Sequence, residues 1–376
     1  MEKKRAMISL LTMTEFYSRL PKVEITAMHS SNPEPLTVSE LEQIFGAHWQ
    51  NDLFKTASFS YMPVNGSEPF RMALAAASGV LAADDFISTS GAQEALTCCF
   101  NALFQAGDKV LVPVPAFEPL VAFPQACGCD VQPWQLLKNN GQWQLDLGAL
   151  EGLLQEGVQW LVLNFPHNPT GMHIRFDEQK EIVALCEKYH CNILSDEVFR
   201  GLENVAKDML PSFSELTDRA VSISVMSKAY ALPGVRVGWI ATQNPVWRKK
   251  IIHVKSSLSI CTGMLDDAIA TEAVNNRRKI WSRNRELLEN NRAQLHSFIH
   301  TYSHLFEMSS PQAACTALVE LKNNVESDAW YSQLLNDTGQ LFLPGSLFYA
   351  SKNTFRFGFG RKDFSEQLTV LKGFIC

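Results

Sequence analysis

The chain has 376 residues, of which 46% are hydrophobic and 19% charged, a composition that suits a soluble globular protein with core enough for one large domain and a smaller one. Its 33 basic and 39 acidic side chains leave a net charge of −6, which argues against a general nucleic-acid or anionic-membrane surface and for small-molecule chemistry. The nine cysteines are scattered and lack the paired spacing of a zinc site, so buried thiols in a reducing cytoplasm are expected. The basic amino terminus "MEKKRAMISLLTMTEFY" has a short apolar run broken by Thr12, Thr14 and Glu15 and no small-residue cleavage site, so neither a signal peptide nor a membrane span is expected.

From Asp85 to Thr242, short apolar or β-branched runs alternate with amphipathic segments. Strands are predicted at 86–89, 109–114, 131–134, 160–164, 191–195, 221–225 and 235–241, with helices at 91–105, 117–126 and 177–189. That alternation implies an α/β fold, a mostly parallel seven-stranded sheet sandwiched by helices, with ligands gathering at the carboxyl ends of the strands. The charged stretch 246–292 reads as helical and leads to a portion with its own strands in "TALVEL" and "FRFGFG". Residues 46–280 are assigned to the large domain, and residues 1–45 with 281–376 to a smaller α+β domain with an amino-terminal arm.

The strand ends carry the candidate chemistry. After "FISTS", Gly91 opens a helix with Ala92 and Gln93, so free backbone N–H groups and the positive end of the helix dipole face the ligand edge. Taken alone, such a turn is an ordinary strand-to-helix connection; with a ligand it is a phosphate cradle. Phe117 in "VPVPAFEP" stands at the same edge, where it is either core or a stacking surface for a flat ring. In "LVLNFPHNPTG" two prolines stiffen a loop that holds Asn168 as a donor. "CNILSDEVF" ends a buried strand in Asp196, a carboxylate that needs a cationic or N–H partner or else caps the next segment.

Lys228 in "SKAYALPGVRVGW" gains meaning from these neighbours. A lysine whose amine is freed by desolvation or by nearby cations forms an imine with an aldehyde. Together the pieces describe a site for pyridoxal 5'-phosphate: phosphate on Gly91, Ala92 and Gln93 and near Arg236, ring under Phe117, ring nitrogen on Asp196, ring oxygen on Asn168 and aldehyde on Lys228.

In their order and separations, "NPTG", "SDE" and "SKxxxLPGxRxG" resemble the fold-type I pyridoxal-phosphate enzymes, specifically the class I/II aminotransferases, over nearly the whole chain. The resemblance implies that Tyr61 in "YMPVNG" reaches the phosphate of a partner subunit's site, and so a homodimer with composite sites. It also implies that Arg356 in "NTFRFGFG" clamps the substrate α-carboxylate, and that "SSNPEPL" at 30–36 covers the site. Two positions depart from the family pattern. Phe199 stands where a tyrosine commonly donates to the ring oxygen, and Val225 where a phosphate-binding serine often sits, with Ser227 or Ser224 to serve instead.

The reaction this implies is transamination between an L-amino acid and a 2-keto acid through a Lys228 imine. The alternative is elimination, replacement or cyclisation by the same lysine, since "FPHNPTG", "SKAYALPGVRVGW" and Phe199 also resemble the capreomycidine-synthase-like branch. The same fold serves as an effector-binding module in transcription regulators with an added DNA-binding domain; the length taken up by the enzyme fold and the acidic balance count against that reading. Neither a nucleotide phosphate loop nor a GxSxG elbow occurs in the sequence. His167 is read as a loop histidine with a backbone partner or a substrate contact. His296, His300 and His304 are read as a solvated helix surface in preference to a metal face.

Overall fold

A computed structural model describes residues 12–21, 25–26, 28–56, 58–322 and 327–376; the reading of residues 1–11 falls outside them. The large sheet begins with β1 (Phe86–Thr89), β2 (Lys109–Val114) and β3 (Asp130–Gln135). A small hairpin follows, made of β4 (Leu137–Asn139) and β5 (Gln142–Gln144). The sheet then continues with β6 (Trp160–Asn164), β7 (Asn192–Asp196), β8 (Ala220–Val225) and β9 (Gly238–Ala241). Strand order is β1-β9-β8-β7-β6-β2-β3, and every pairing is parallel except those of β9 with β8 and β1. The predicted mostly parallel seven-stranded sheet is therefore the one observed.

Strands read as unbroken apolar runs because both faces are covered. Side chains alternate between the faces. Along β6, Trp160 and Val162 join one core with helices Ala92–Leu103 and Pro119–Ala126, while Leu161 and Leu163 join the opposite core with helices Leu147–Gln155 and Phe176–Lys188. Two expectations change. The last strand starts at Gly238 rather than at 235, because Pro233–Val235 wind into a 3-10 turn and Arg236 takes a left-handed φ of 51°. The helical stretch expected at 246–292 is three helices, Pro245–Leu258, Met264–Asn275 and Arg277–Thr301, broken first near Ile260, whose φ is 62°.

The expected boundary between 280 and 281 falls inside helix Arg277–Thr301. Trp281 near one end meets Tyr230 of the large sheet's layer (5.7 Å between ring centroids), and Phe298 near the other end meets Phe306 (6.1 Å). Phe306 belongs to a second sheet, antiparallel in every pairing. Its strands are β10 (Phe306–Met308), β11 (Thr316–Leu321), β12 (Leu343–Pro344) and β13 (Thr354–Gly358), in the order β10-β11-β13-β12. "TALVEL" is β11 in full. Phe342, Phe355 and Phe357 pack beneath this sheet, with Phe342 at 4.9 and 4.8 Å from the other two. Among the described residues, no helix is long and apolar enough to cross a membrane.

The amino-terminal segment 28–36 crosses β13 and its extension as a strap. Gly358 N–H donates to the Met28 carbonyl (2.8 Å), Glu34 N–H to Gly360 (2.7 Å) and Leu36 N–H to Ala231 (2.9 Å). A Cβ at Gly358 would run into the Ser30 carbonyl, and one at Gly360 into the Asn32 carbonyl. Only glycines let the strap sit this close to the strand.

Candidate active site

Because β1, β2, β6, β7 and β8 share one direction, their carboxyl ends bring residues far apart in sequence to one edge. At the β1 end, Gly91 has φ 87° and ψ 174° and precedes helix Ala92–Leu103, whose first-turn N–H groups lack intrahelical partners. A Cβ on Gly91 would lie 2.7 Å from Arg236 Nη2. Arg236 Nη1 in turn donates to Ser227 Oγ (3.2 Å) and to the Pro233 carbonyl (3.1 Å). Gly91, Ala92, Gln93, Ser227 and Arg236 thus form one corner, rich in N–H donors and glycine-thin. Phe117, partly buried, packs on the rim of the adjoining core, as does Ala92. Ser224 does not join the corner; it lines a separate cavity of about 180 Å³ with Ser222, Trp239 and Trp281.

Lys228 sits inward of that corner and is partly buried. Its Nζ donates to Ser31 Oγ at 2.6 Å and lies 5.7 Å from the ring centroid of Phe199. Burial lowers the amine to about 8; Cys315 and Asp196 oppose the fall, while Arg356 and Arg236 add to it. Asp196 ends β7 and accepts the Val198 N–H at 3.2 Å. Burial pushes its carboxyl up to about 7, against the pull of that N–H and of Lys228.

Arg356, on β13, is buried. Nη1 donates to Asn168 Oδ1 (3.0 Å), Nη2 to the His29 carbonyl (2.6 Å), and its guanidinium lies 4.9 Å from the Phe348 ring centroid. Its Nε has no partner, and burial brings its pKa down to about 10. Among the described residues no carboxylate lies within ion-pair distance of it. A buried cation with neutral acceptors alone is a ready receptor for an anion.

Of the predicted residues, Tyr61, at 84% exposure, stands apart from the cluster as Ser224 does. Sequence reading passed over three others. Asn164 ends β6; its Oδ1 accepts the Asn168 N–H and its Nδ2 donates to the Asp196 carbonyl, each at 2.9 Å. Its one sequence signal is an amide closing the apolar run "LVLN". Glu118, beside Phe117, accepts the N–H groups of Thr12 (2.5 Å) and Met13 (2.9 Å), tying helix Thr12–Ser18 to this edge. Ser31 lay within "SSNPEPL" but had no role of its own.

His167 is a structural loop histidine. Nδ1 shares a hydrogen bond with Thr170 Oγ1 (2.8 Å), the ring also bonds the Pro115 backbone, and burial lowers its pKa to about 3. The grouping of His296, His300 and His304 on one helix does not hold, since the helix ends at Thr301; His296 pairs with Ser310 Oγ at 3.0 Å.

A profile of the family described as aminotransferase class I and II matches residues 48–368. The chain belongs to this family. The aminotransferase-family chain is 28% identical over 335 residues to capreomycidine synthase from Streptomyces vinaceus, covering 89% of this chain and 85% of that one. It is 25% identical over 299 residues to a probable N-acetyl-LL-diaminopimelate aminotransferase from Bacillus subtilis strain 168, covering 77% and 72%. Among solved structures, a PLP-dependent aminotransferase from Streptococcus suis 89-1591 superposes with a TM-score of 0.85 at 27% identity, over 93% and 92% of the two chains. The PLP-dependent cyclase OrfR shares the fold, with a TM-score of 0.87 at 23% identity over 98% and 97%. The architecture of this family member is that of the fold-type I enzymes.

Proposed function

We propose that the protein is a pyridoxal-phosphate-dependent aminotransferase that moves an amino group between an L-amino acid and a 2-keto acid. The observation that carries this reading is the juxtaposition of a lysine whose amine is lowered to about 8, a buried carboxylate and a buried arginine without an anionic partner, all at one sheet edge. The residues fit the cofactor: Gly91, at a positive φ of 87°, has no Cβ to push the Arg236 guanidinium away and leaves backbone N–H groups available, as a phosphate cradle requires. When bound, pyridoxal phosphate supplies an aldehyde for the lysine amine and a ring that draws negative charge from the substrate α-carbon.

In this reading Gly91, Ala92, Gln93, Ser227 and Arg236 hold the phosphate, and Phe117 covers the ring. Asp196 keeps a proton on the ring nitrogen, and Asn168 donates to the ring oxygen while fixing Arg356. Arg356 binds the substrate carboxylate and so orients the α-carbon toward Lys228, whose neutral Nζ takes the α-proton and later returns one. The reading includes a homodimer, with Tyr61 completing the partner's phosphate site; the exposure of Tyr61 and of nearby Phe59, 84% and 81%, supports it. It also keeps the division into residues 46–280 and residues 1–45 with 281–376, and a cytoplasmic setting proposed from the cysteine composition.

Elimination, replacement or cyclisation is the second reading. The likeness to capreomycidine synthase over 89% of the chain favours it, as does Phe199 beside the lysine. The test is the visible spectrum of the cofactor-loaded protein with a panel of L-amino acids and no keto acid, beside Lys228→Ala. Conversion of the cofactor to its amine form, reversed by a 2-keto acid, establishes transamination. Release of ammonia or of a cyclised product with the cofactor form unchanged establishes the second reading. A spectrum that does not depend on Lys228 overturns both.

A further inference from the structure

Two residues apart on the strap, His29 and Ser31 touch the two cations of the site. The His29 carbonyl takes Arg356 Nη2, and the Ser31 hydroxyl takes Lys228 Nζ, each at 2.6 Å. The strap is seated by contacts that do not involve Lys228. Its backbone bonds Gly358, Gly360 and Ala231, Ser30 Oγ accepts from Arg361 Nη2 (3.1 Å), and it lies so close to Gly358 and Gly360 that neither could carry a Cβ. Ser31 is therefore presented to the lysine from a fixed backbone. At 5.7 Å from the amine, position 199 offers only a phenyl ring. Among the described residues, Ser31 is the amine's one side-chain hydrogen-bond partner.

Resting on the role of Lys228 given above, we propose that Ser31 is a positioning residue for the reaction. Its hydroxyl holds the Lys228 amine whenever the lysine is not covalently engaged, at the spot from which that amine exchanges a proton with the substrate α-carbon. An amine that donates one N–H to Ser31 keeps its lone pair free to take a proton. The hydroxyl also binds the ammonium form more strongly than the neutral amine, because charge shortens and strengthens the bond. Ser31 thus opposes the downward pull of burial on Lys228. The other titratable and charged groups facing the amine are Cys315 and Asp196, which favour its charge, and Arg356 and Arg236, which oppose it. Replacing Ser31 removes none of them.

The experiment uses the full chain stripped of cofactor and an amine-acylating reagent, with labelling of Lys228 read by peptide mass spectrometry across pH. The Ser31→Ala midpoint is expected about one unit below wild type, which makes Lys228 roughly fivefold more reactive near neutral pH and up to about tenfold at lower pH. Ser31→Thr, which keeps the hydroxyl, restores the wild-type profile. Ser30→Ala, which loosens the strap at Arg361 but spares the lysine contact, leaves that profile in place. The inference is overturned if the Ser31→Ala profile superimposes on wild type, or if Ser30→Ala shifts it as far. In parallel, wild-type protein is mixed with pyridoxal phosphate and reduced with borohydride. Failure to trap an adduct at Lys228 would overturn the reading of the site and the inference with it, whereas a normal adduct with superimposed profiles overturns the inference alone.

Discussion

Arg356 Nη1 donates to Asn168 Oδ1 at 3.0 Å, joining the small sheet to the loop that follows β6 of the large one. The link continues inward: Asn164 Oδ1 accepts the Asn168 N–H, and Asn164 Nδ2 donates to the Asp196 carbonyl. Three directional bonds therefore set the position of a buried guanidinium relative to a buried carboxylate. Apolar contacts between the sheets, which have no direction, would tolerate sliding; this polar series does not.

The first prediction concerns the anion that Arg356 lacks. Arg356→Gln is expected to lower kcat/KM by roughly 100-fold, the ~3 kcal/mol carried by a charge-assisted bond, mainly by raising KM for both amino acid and keto acid. Arg356→Lys should recover little, because an ammonium cannot make the bidentate pair. Steady-state kinetics and the cofactor content of each variant decide the matter: unchanged KM values would remove Arg356 from substrate binding.

Asp196 predicts a pH dependence in the cofactor-free protein. Burial holds its folded carboxyl at about 7, so between the ordinary aspartate value and that point the folded state carries a proton that the unfolded chain has released. This group's contribution to stability is fully present below about pH 4 and is lost as pH rises through about 7. Asp196→Asn, neutral throughout, should melt above wild type at about pH 8, by on the order of 2–4 kcal/mol, and level with it near pH 4. Chemical denaturation of both proteins along a pH series checks the sign. Equal stabilities at the alkaline end would mean that the carboxylate is compensated by partners other than those seen here.

Gly91 occupies a backbone region nearly closed to other residues and lies where a Cβ would meet Arg236 at 2.7 Å. Gly91→Ala is expected to weaken pyridoxal phosphate binding by at least about tenfold, from ~1–3 kcal/mol of strain together with displacement of Arg236. Gly107→Ala is the control, since Gly107 also has a positive φ (91°) but nothing within 4 Å of a new Cβ. It should cost stability and leave cofactor affinity alone. Equilibrium titration with the cofactor distinguishes the two, and equal affinities for both variants would count against the cradle.

Phe199→Tyr adds a hydroxyl donor beside the lysine. In the loaded protein, the pH midpoint of the cofactor's visible band should fall by about one unit, because the donor stabilises negative charge on the ring oxygen. Spectrophotometric titration reads this directly. A midpoint coincident with wild type would show that the tyrosine hydroxyl does not reach the cofactor.

The strands were legible in the sequence because a strand covered on both faces is an unbroken apolar run. β1, β2, β6 and β11 begin and end where those runs do. Gly91, Asn168, Asp196, Lys228 and Arg236 were legible too, since each sits at the end of such a run or in a short turn with its own residue signature. Only the tertiary structure decided what these residues touch. Ser31 meets Lys228 across 197 residues, Arg356 meets Asn168 across 188, and Glu118 meets Thr12 across 106. A polar contact between remote segments leaves no periodicity in either, because each partner is a single residue whose type is equally compatible with solvent. The left-handed turn at Arg236 that delays β9 was hidden for a related reason: the apolar pattern reports which side chains are buried, whereas the turn is set by where the backbone must reverse to bring that arginine against Gly91.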